Sequence, residues 1–245
     1  MSRFTATLAT LMFVLAACAA PTSPAPTVTP LPAPTNTPSP TATTAEAGAS
    51  QAPAATETGS ATGGTGGAVT YVIDPAQSEA SFQIGEELFG RPVIVKGVTN
   101  KVSGSFTADY ANPANSTVST IEIEADFVTD ESRRNNAIRR FILQTDQFPK
   151  ITFAPTRLES LPAQVKPGEQ IRFKIVGNLT IRDVTREVTF DATVTLPPDN
   201  TAPLRGEATA VVRYPDFNLT IPSVPFVANV TEAVTLTLTF VAKPA

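Results

Sequence analysis

The chain has no histidine and no tryptophan, and it has a single cysteine. Without histidine, imidazole metal ligands, Ser-His-Asp triads and Cys-His pairs cannot form, which removes most common hydrolase mechanisms. With one cysteine, no disulfide can form within the chain. We therefore expect packing to stabilise the folded part, and we expect no catalytic residues, no metal site, no cofactor and no enzyme activity.

Charge is also sparse and nearly balanced. The chain has 18 basic and 22 acidic residues, for a net charge of -4, which gives no broad attraction to nucleic acid. Glu86 and Glu87 are adjacent, so in a strand they would point to opposite faces and could not share one substrate atom. Glu122, Glu124 and Asp126 share a face, and their alternation with isoleucines makes that face the solvent side.

The N-terminus predicts export. Arg3 precedes an apolar stretch from Leu8 to Leu15 that is too short to span a bilayer, and small residues follow before Cys18. This pattern is typical of a signal peptide over residues 1–17. The run ending at Cys18 also resembles the lipobox of bacterial lipoproteins, which predicts lipid attachment at Cys18 and a membrane-anchored protein facing the periplasm or the cell exterior. The alternative is an ordinary secretory signal with an incidental cysteine.

Residues 18–68 are predicted to form a tether. Proline, threonine, alanine, serine and glycine dominate this segment, and Glu46 and Glu57 are its only charged residues. Such a composition cannot bury a core, and its prolines favour extended polyproline II conformation. At about 3.1 Å per extended residue, the segment could hold a domain on the order of 100 Å from a membrane.

Residues 69–245 have the length of one domain and a strand-like pattern of period two. Ala80, Phe82 and Ile84 alternate with Ser81 and Gln83, as expected of a half-buried strand. The same alternation recurs in the stretches 121–127, 151–153, 171–175, 188–196, 208–212 and 234–242. With the turn signals between them, these stretches predict an all-β domain of about eight antiparallel strands in a barrel or sandwich.

One segment has helical spacing instead. Between Ser132 and Leu143, Ile138, Phe141 and Ile142 would lie on one helix face. Asp130 or Ser132 could cap its start. We expect a single amphipathic helix that covers an open end of the barrel.

Four blocks in order resemble the YceI family, and together they span nearly all of residues 71–243. They are Tyr71-Val72-Ile73-Asp74 with Ser78 and Phe82, Arg134-Asn135 with the later Phe148-Pro149-Lys150-Ile151-Thr152-Phe153, Gly177-Asn178-Leu179-Thr180-Ile181-Arg182-Asp183-Val184-Thr185, and Arg213-Tyr214-Pro215-Asp216-Phe217. The resemblance implies an extended lipocalin-like antiparallel β-barrel that holds a long isoprenoid chain in its apolar interior, in exported proteins without established enzymatic activity.

That resemblance suggests which residues would form a site. The apolar wall is predicted to include Phe82, Ile84, Phe106, Ile121, Ile123, Phe127, Phe141, Phe153, Phe173, Phe190, Val212 and Phe217. For any one phenylalanine ordinary core is the favoured interpretation, because burial in a strand is the common fate of this residue type, so a lumen is a prediction about the set. Each buried methylene of a ligand would gain about 0.8 kcal/mol.

Arginines of the helix are the candidates for a ligand's polar end. Arg134 lies in the family motif, and Arg139 follows five residues later in the same predicted helix; their planar guanidiniums suit an anion. The alternative is a solvated helix face paired with carboxylates such as Glu131 or Asp146. The chain departs from the family pattern at Asn135, where aspartate is usual, and at Glu86, where many relatives carry histidine.

The leading hypothesis is a membrane-tethered binding protein for a polyisoprenoid or similar long apolar molecule. The rival is a structural or adhesive surface module whose barrel is packed solid. The presence of an interior cavity discriminates between them. The oligomeric state is not predicted.

Overall fold

The computed structural model describes residues 67–245. The predicted signal peptide 1–17, Cys18 and nearly all of the tether 18–68 lie outside the described residues and stay predictions. None of the helices in the described part of the chain is long and apolar enough to cross a membrane.

In residues 67–245, thirteen strand segments form a single antiparallel sheet. They are β1 (Ala68–Ile73), β2 (Glu79–Leu88), β3 (Arg91–Thr99), β4 (Val102–Ser103), β5 (Ser105–Asp109), β6 (Thr117–Val118), β7 (Ile121–Glu124), β8 (Lys150–Glu159), β9 (Gln170–Ile181), β10 (Val184–Thr195), β11 (Leu204–Arg213), β12 (Val227–Ala228) and β13 (Ala233–Pro244). The predicted all-β fold class is confirmed.

The sequence alternation sets the two faces of the sheet. In β10, Phe190, Ala192 and Val194 are buried, whereas the intervening Asp191 is exposed. Asp191 pairs in register with Lys174 of β9, and the two side chains form an ion pair of 2.6 Å on the outer face. Hydrophobic side chains therefore face inward and charged pairs face outward.

The sheet curls until its edges meet. Along the order β7-β8-β9-β10-β11-β13-β1-β5, each strand pairs with the next. The segment from Val102 to Asp109 then pairs on both of its edges: β5 pairs with β1 and β6, and β4 pairs with β7. This double pairing gives the barrel-like closure that was predicted. Joining the segments interrupted near Gly104 and Ser119 leaves eleven strands, which is still more than the predicted eight because stretches such as β3 and the short β12 were not identified from alternation.

One edge of β13 pairs with two strands in succession. β13 pairs with β2 from Val234 to Thr239 and with β1 from Ala242 to Pro244. β2 pairs in turn with β3 through a tight hairpin, and β3 contacts the chain after β7 through a bridge between Val98 and Val128.

The predicted helix is present but irregular. Helix α1 spans Ser132–Ala137 and continues as a π-helical turn over Ile138–Ile142. Its start is capped by Glu131, whose carboxylate accepts from the backbone N–H of Arg134 at 2.9 Å, so the prediction of Asp130 or Ser132 as the cap was wrong. The carboxylate is long enough to reach that N–H from the residue immediately before the helix.

The π-helical turn changes which residues face the core. The Leu143 N–H donates to the Ile138 carbonyl at 2.8 Å, five residues back, and both side chains are buried. Phe141 is consequently rotated outward and is 63% exposed. The extra residue in the turn shifts the inward positions away from the regular helical spacing.

Two buried clusters lie inside the sheet. The larger includes Ile84, Val212, Val234 and Phe217, together with Ile138 of the helix. The smaller contains Tyr71, Ile171, Val194, Leu196, Leu204 and Ala242. This smaller cluster lies at the end of the barrel where β1 begins and β13 ends.

Gly177 provides the sharpest packing test of this fold. A Cβ at this position would lie 2.6 Å from the Ala154 carbonyl oxygen and 2.8 Å from Phe153 Cζ. Because the first of these is backbone of the adjacent strand, we expect Gly177→Ala to lower the free energy of unfolding by about 1–3 kcal/mol, measured by urea denaturation. Gly67→Ala, where no atom lies within 4 Å of the new Cβ, is the control and should change it by less than about 0.5 kcal/mol. Equal effects would contradict the tight β8–β9 contact.

Candidate ligand cavity

The inner face of the curled sheet encloses a cavity of about 180 Å³. An engineered apolar cavity of about 150 Å³ holds benzene, so this space is large enough for a slender hydrocarbon segment. Within the described part of the chain, its wall carries no charged residue. The only polar side chains in the wall are the hydroxyls of Ser81, Thr107, Ser116, Thr117 and Thr237.

Seven of the predicted wall residues are brought together around this cavity. They are Phe106, Ile121, Ile123, Phe127, Phe153, Phe173 and Phe190. The rings of Phe153 and Phe190 meet edge to face with centroids 4.8 Å apart. Together these side chains form a hydrocarbon wall on the inner face of the sheet.

The other five predicted wall residues lie elsewhere. Ile84, Val212 and Phe217 are buried in the larger core cluster but do not reach the cavity. Phe82 packs against that cluster and touches the Phe127 ring edge to face at 5.3 Å. Phe141 is on the outside because of the π-helical turn. The wall prediction treated all inward residues alike, although an inward position does not by itself bring a side chain to the cavity.

Sequence reasoning missed several residues of the wall. Leu236, Leu238 and Phe240 of β13 line the cavity, and their alternation with threonines was the signal that could have identified them. Leu158 and Leu161 also line it. Both leucines follow a register shift in β8 between Pro155 and Arg157, so strand alternation could not predict which way they point.

A proline ends the pairing between β7 and β8. The Ala125 N–H donates to the Pro149 carbonyl at 2.9 Å, and Ile121 pairs with Phe153. Alternate residues of a strand direct their N–H and C=O groups to the same neighbour. The next such position in β8 is Pro155, which has no N–H to donate.

The neighbouring strand also turns away at this point. The Ser119 N–H donates to the Ser105 carbonyl at 2.9 Å, toward β5 and away from β8. In the described residues β6 pairs with β5 and not with β8. The sheet is therefore split between β6 and the second half of β8.

This split is the mouth of the cavity. Thr117 and Val118 line the cavity from one side of the split, and Leu158 and Leu161 line it from the other. Thr117 is exposed and both leucines are half-buried, so the apolar space reaches the surface here.

The mouth and the helix lie at opposite ends of the barrel. Ala68 pairs with Asp109 and Thr107 pairs with Thr117, which puts the mouth where β1 begins. The helix instead meets the turn between β9 and β10, where the Arg182 guanidinium donates to the Ile142 carbonyl at 3.5 Å.

The predicted head-group arginines are not brought to the cavity. Arg134 donates to Glu86 at 2.9 Å and to Asp130 at 2.7 Å, so its charge is compensated. Arg139 is half exposed and bonds to Asn136. Neither lines the cavity. The carboxylate partners of Arg134 differ from the Glu131 and Asp146 named from sequence because strand β2 passes beside the helix. Glu86, the position at which the family pattern has histidine, is one of them.

A tyrosine pair closes the core beside the mouth. The hydroxyls of Tyr71 and Tyr110 are 2.7 Å apart, and the Tyr71 ring stacks on Phe106 at 5.4 Å. Burial raises the pKa of both phenols above the ordinary value near 10. For Tyr110, the hydrogen bond to Tyr71 raises the pKa further.

The raised phenol pKa values predict weaker folding at alkaline pH. Above pH 10 the unfolded chain loses these protons more readily than the folded chain, so stability falls as pH rises. We expect Tyr110→Phe to make the fall above about pH 10 shallower, measured as the urea midpoint at each pH. Tyr214→Phe leaves the pair intact and should keep the wild-type dependence. Superimposable profiles for wild type and Tyr110→Phe would contradict the burial of the pair.

A curled antiparallel sheet with an apolar interior defines a lipocalin-like β-protein. Residues 71–242 match the YceI-like domain, and the chain belongs to this family. A UPF0312 protein of Enterobacter sp. (strain 638) is 31% identical over 169 residues, covering 65% of this chain and 80% of that protein. A UPF0312 protein of Yersinia enterocolitica is 29% identical over 165 residues, with the same coverage of 65% and 80%.

Solved structures show the same fold. BcnA of Burkholderia cenocepacia matches with a TM-score of 0.55 at 20% identity, covering 70% of this chain and 99% of that one. A polyisoprenoid binding domain from Saccharophagus degradans matches with a TM-score of 0.55 at 14% identity, covering 72% and 99%.

Proposed function

We propose that this protein is an exported, membrane-tethered lipid-binding protein that holds or carries a polyisoprenoid or similar long apolar ligand. The observation that carries the proposal is the cavity of about 180 Å³ with its wall of hydrocarbon and hydroxyl groups. The protein makes and breaks no covalent bond in this function. The name of the Saccharophagus degradans relative, a polyisoprenoid binding domain, supports the same ligand class.

The expected free energy of binding favours a ligand with a long hydrocarbon chain. At about 0.8 kcal/mol per buried methylene, ten such groups would gain about 8 kcal/mol. Association costs of about 4–15 kcal/mol oppose this gain. A short hydrocarbon would therefore bind weakly, and a long one would bind without a strong polar contact. An isoprenoid supplies many such groups in a slender chain that can thread through the mouth.

The cavity favours a carrier over a solid structural module. Phe217, Ile84 and Val212 are buried without reaching the cavity. A purely structural barrel would have no need for open apolar space, because empty cavities cost stability.

Filling the cavity tests the ligand proposal. Ala192 and Ala208 pair across β10 and β11, and both line the cavity. We expect the wild-type full chain to copurify with a long-chain lipid, and Ala192→Phe or Ala208→Phe to reduce that lipid at least about tenfold because the new ring occupies its space. Lipid extraction followed by mass spectrometry measures both.

Val211→Phe is the matched control for the filling variants. Val211 lies on β11 but is 66% exposed, so the added ring should leave the lipid content unchanged. An absence of lipid in the wild type, or equal lipid in all variants that retain the wild-type circular dichroism spectrum, would contradict ligand binding.

The membrane tether has its own test. Cys18 is the only cysteine, so Cys18→Ser removes any sulfur-linked lipid. We expect the wild-type protein to fractionate with membranes and to resist extraction by salt, and the Cys18→Ser variant to become extractable by salt. Identical extraction of both proteins would contradict lipid anchoring and favour an ordinary secretory signal.

A further inference from the structure

The cavity is smaller than the ligand proposed for it. An apolar cavity of about 150 Å³ is filled by benzene, so by the same measure a cavity of about 180 Å³ holds roughly seven carbon atoms. A polyisoprenoid contains many more. The gain from burying so few carbons falls within the range of the association cost, so tight binding of a long chain requires more interior space than this structure has.

The missing space is width, because the cavity already runs along the barrel. Ile171 and Ile181 of β9 both line it. These two residues lie about 33 Å apart along the strand, at about 3.3 Å per residue. A volume of about 180 Å³ spread over this length leaves a narrow bore. A long chain therefore requires the wall to move outward.

Most neighbouring strands cannot separate without breaking backbone hydrogen bonds. β10, for example, pairs in register with β9 through all twelve of its residues. The joint between β3 and the chain after β7 is shorter, but reciprocal bonds of 2.9 Å join Val98 to Val128. The ion pair between Arg134 and Glu86 also ties the helix that follows to β2. Opening the wall at either place would leave polar groups without partners.

The split between β6 and β8 has no such bonds. In the part of the chain that the structure describes, no hydrogen bond or ion pair joins residues 113–119 to residues 156–166. The side chains that line the cavity beside the split include the half-buried Val118, Leu158 and Leu161. Separating the two sides gives up apolar contacts, and an entering hydrocarbon chain replaces them.

Each side of the split is also held by the strand behind it. Val118 pairs with Phe106 of β5, and Leu158 pairs with Ile175 of β9. The two sides can therefore move apart while each one keeps its own ladder of hydrogen bonds.

We propose that the split is a gate, at which β6 and β8 separate to widen the bore when a long chain enters. The inference deepens the proposed function and rests on it, because the chain that opens the gate is the proposed ligand. A chain no longer than the cavity already holds enters without opening the gate. The length of the ligand then sets the width of the split.

The single cysteine and the lack of tryptophan allow one label and one quencher to be placed across the split. In the Cys18→Ser chain, Glu159→Cys on β8 carries a bimane label, which Ala114→Trp in the exposed turn before β6 quenches at short range. The same labelled chain without the tryptophan corrects for a direct effect of ligand on the label. We expect nonaprenyl alcohol to remove most of the quenching and geraniol to leave it unchanged.

The matched control places the same two groups across an intact ladder. Thr195 and Arg205 pair in register between β10 and β11, and both are exposed. Quenching of bimane at Arg205→Cys by Thr195→Trp should respond to neither alcohol, because these strands stay paired. Gel filtration followed by extraction and mass spectrometry measures the bound alcohol in the same samples.

The outcomes separate the gate from the proposed function. Bound nonaprenyl alcohol with unchanged quenching across the split would overturn the gate and leave the proposed function standing, whereas no bound nonaprenyl alcohol would overturn both. An equal loss of quenching in the control would show that the whole barrel expands, and an equal loss with geraniol would show that length does not matter. Either result would overturn the gate, as would a ligand-free chain without quenching, in which the split is already open.

Discussion

Closure of the sheet allows this domain to be hollow. The segment from Val102 to Asp109 pairs on both edges, so most backbone groups find partners in neighbouring strands without side chains having to fill the interior. Buried backbone polar groups must be paired, and closure meets that requirement around most of the wall. The side chains that point inward are then free to leave apolar space between them.

The two ends of the barrel differ in structure: one lies against the helix, and the other opens to the surface. Near the helix, Phe217 and Ile138 are buried in a continuous core, which stabilises the fold. At the other end, Pro155 stops the β7–β8 ladder and opens the wall between β6 and β8. An apolar ligand would enter where the backbone cannot pair, and it would lie against Phe153 and Phe173.

Much of the fold could be predicted from sequence because period-two alternation is a direct consequence of strand geometry. The positions of Phe153, Phe173 and Phe190 on the cavity wall agree with it, whereas Phe106 lies in a stretch where no alternation was identified. The outward position of Phe141 could not be predicted, because a π-helical turn changes the spacing of inward residues and has no sequence signature. The partnership of Arg134 with Glu86 joins residues 48 positions apart, and only the packing of β2 beside the helix reveals it. Which inward residues surround space and which fill it also depends on distances between strands, which periodicity does not contain.

The hollow interior is tested most directly by a crystal structure of the full-length protein purified from the cells that make it. The account predicts elongated electron density within the cavity, continuous with the mouth between Val118 and Leu158. An interior filled across the axis by the side chains of the wall, with no space and no extra density, would contradict it.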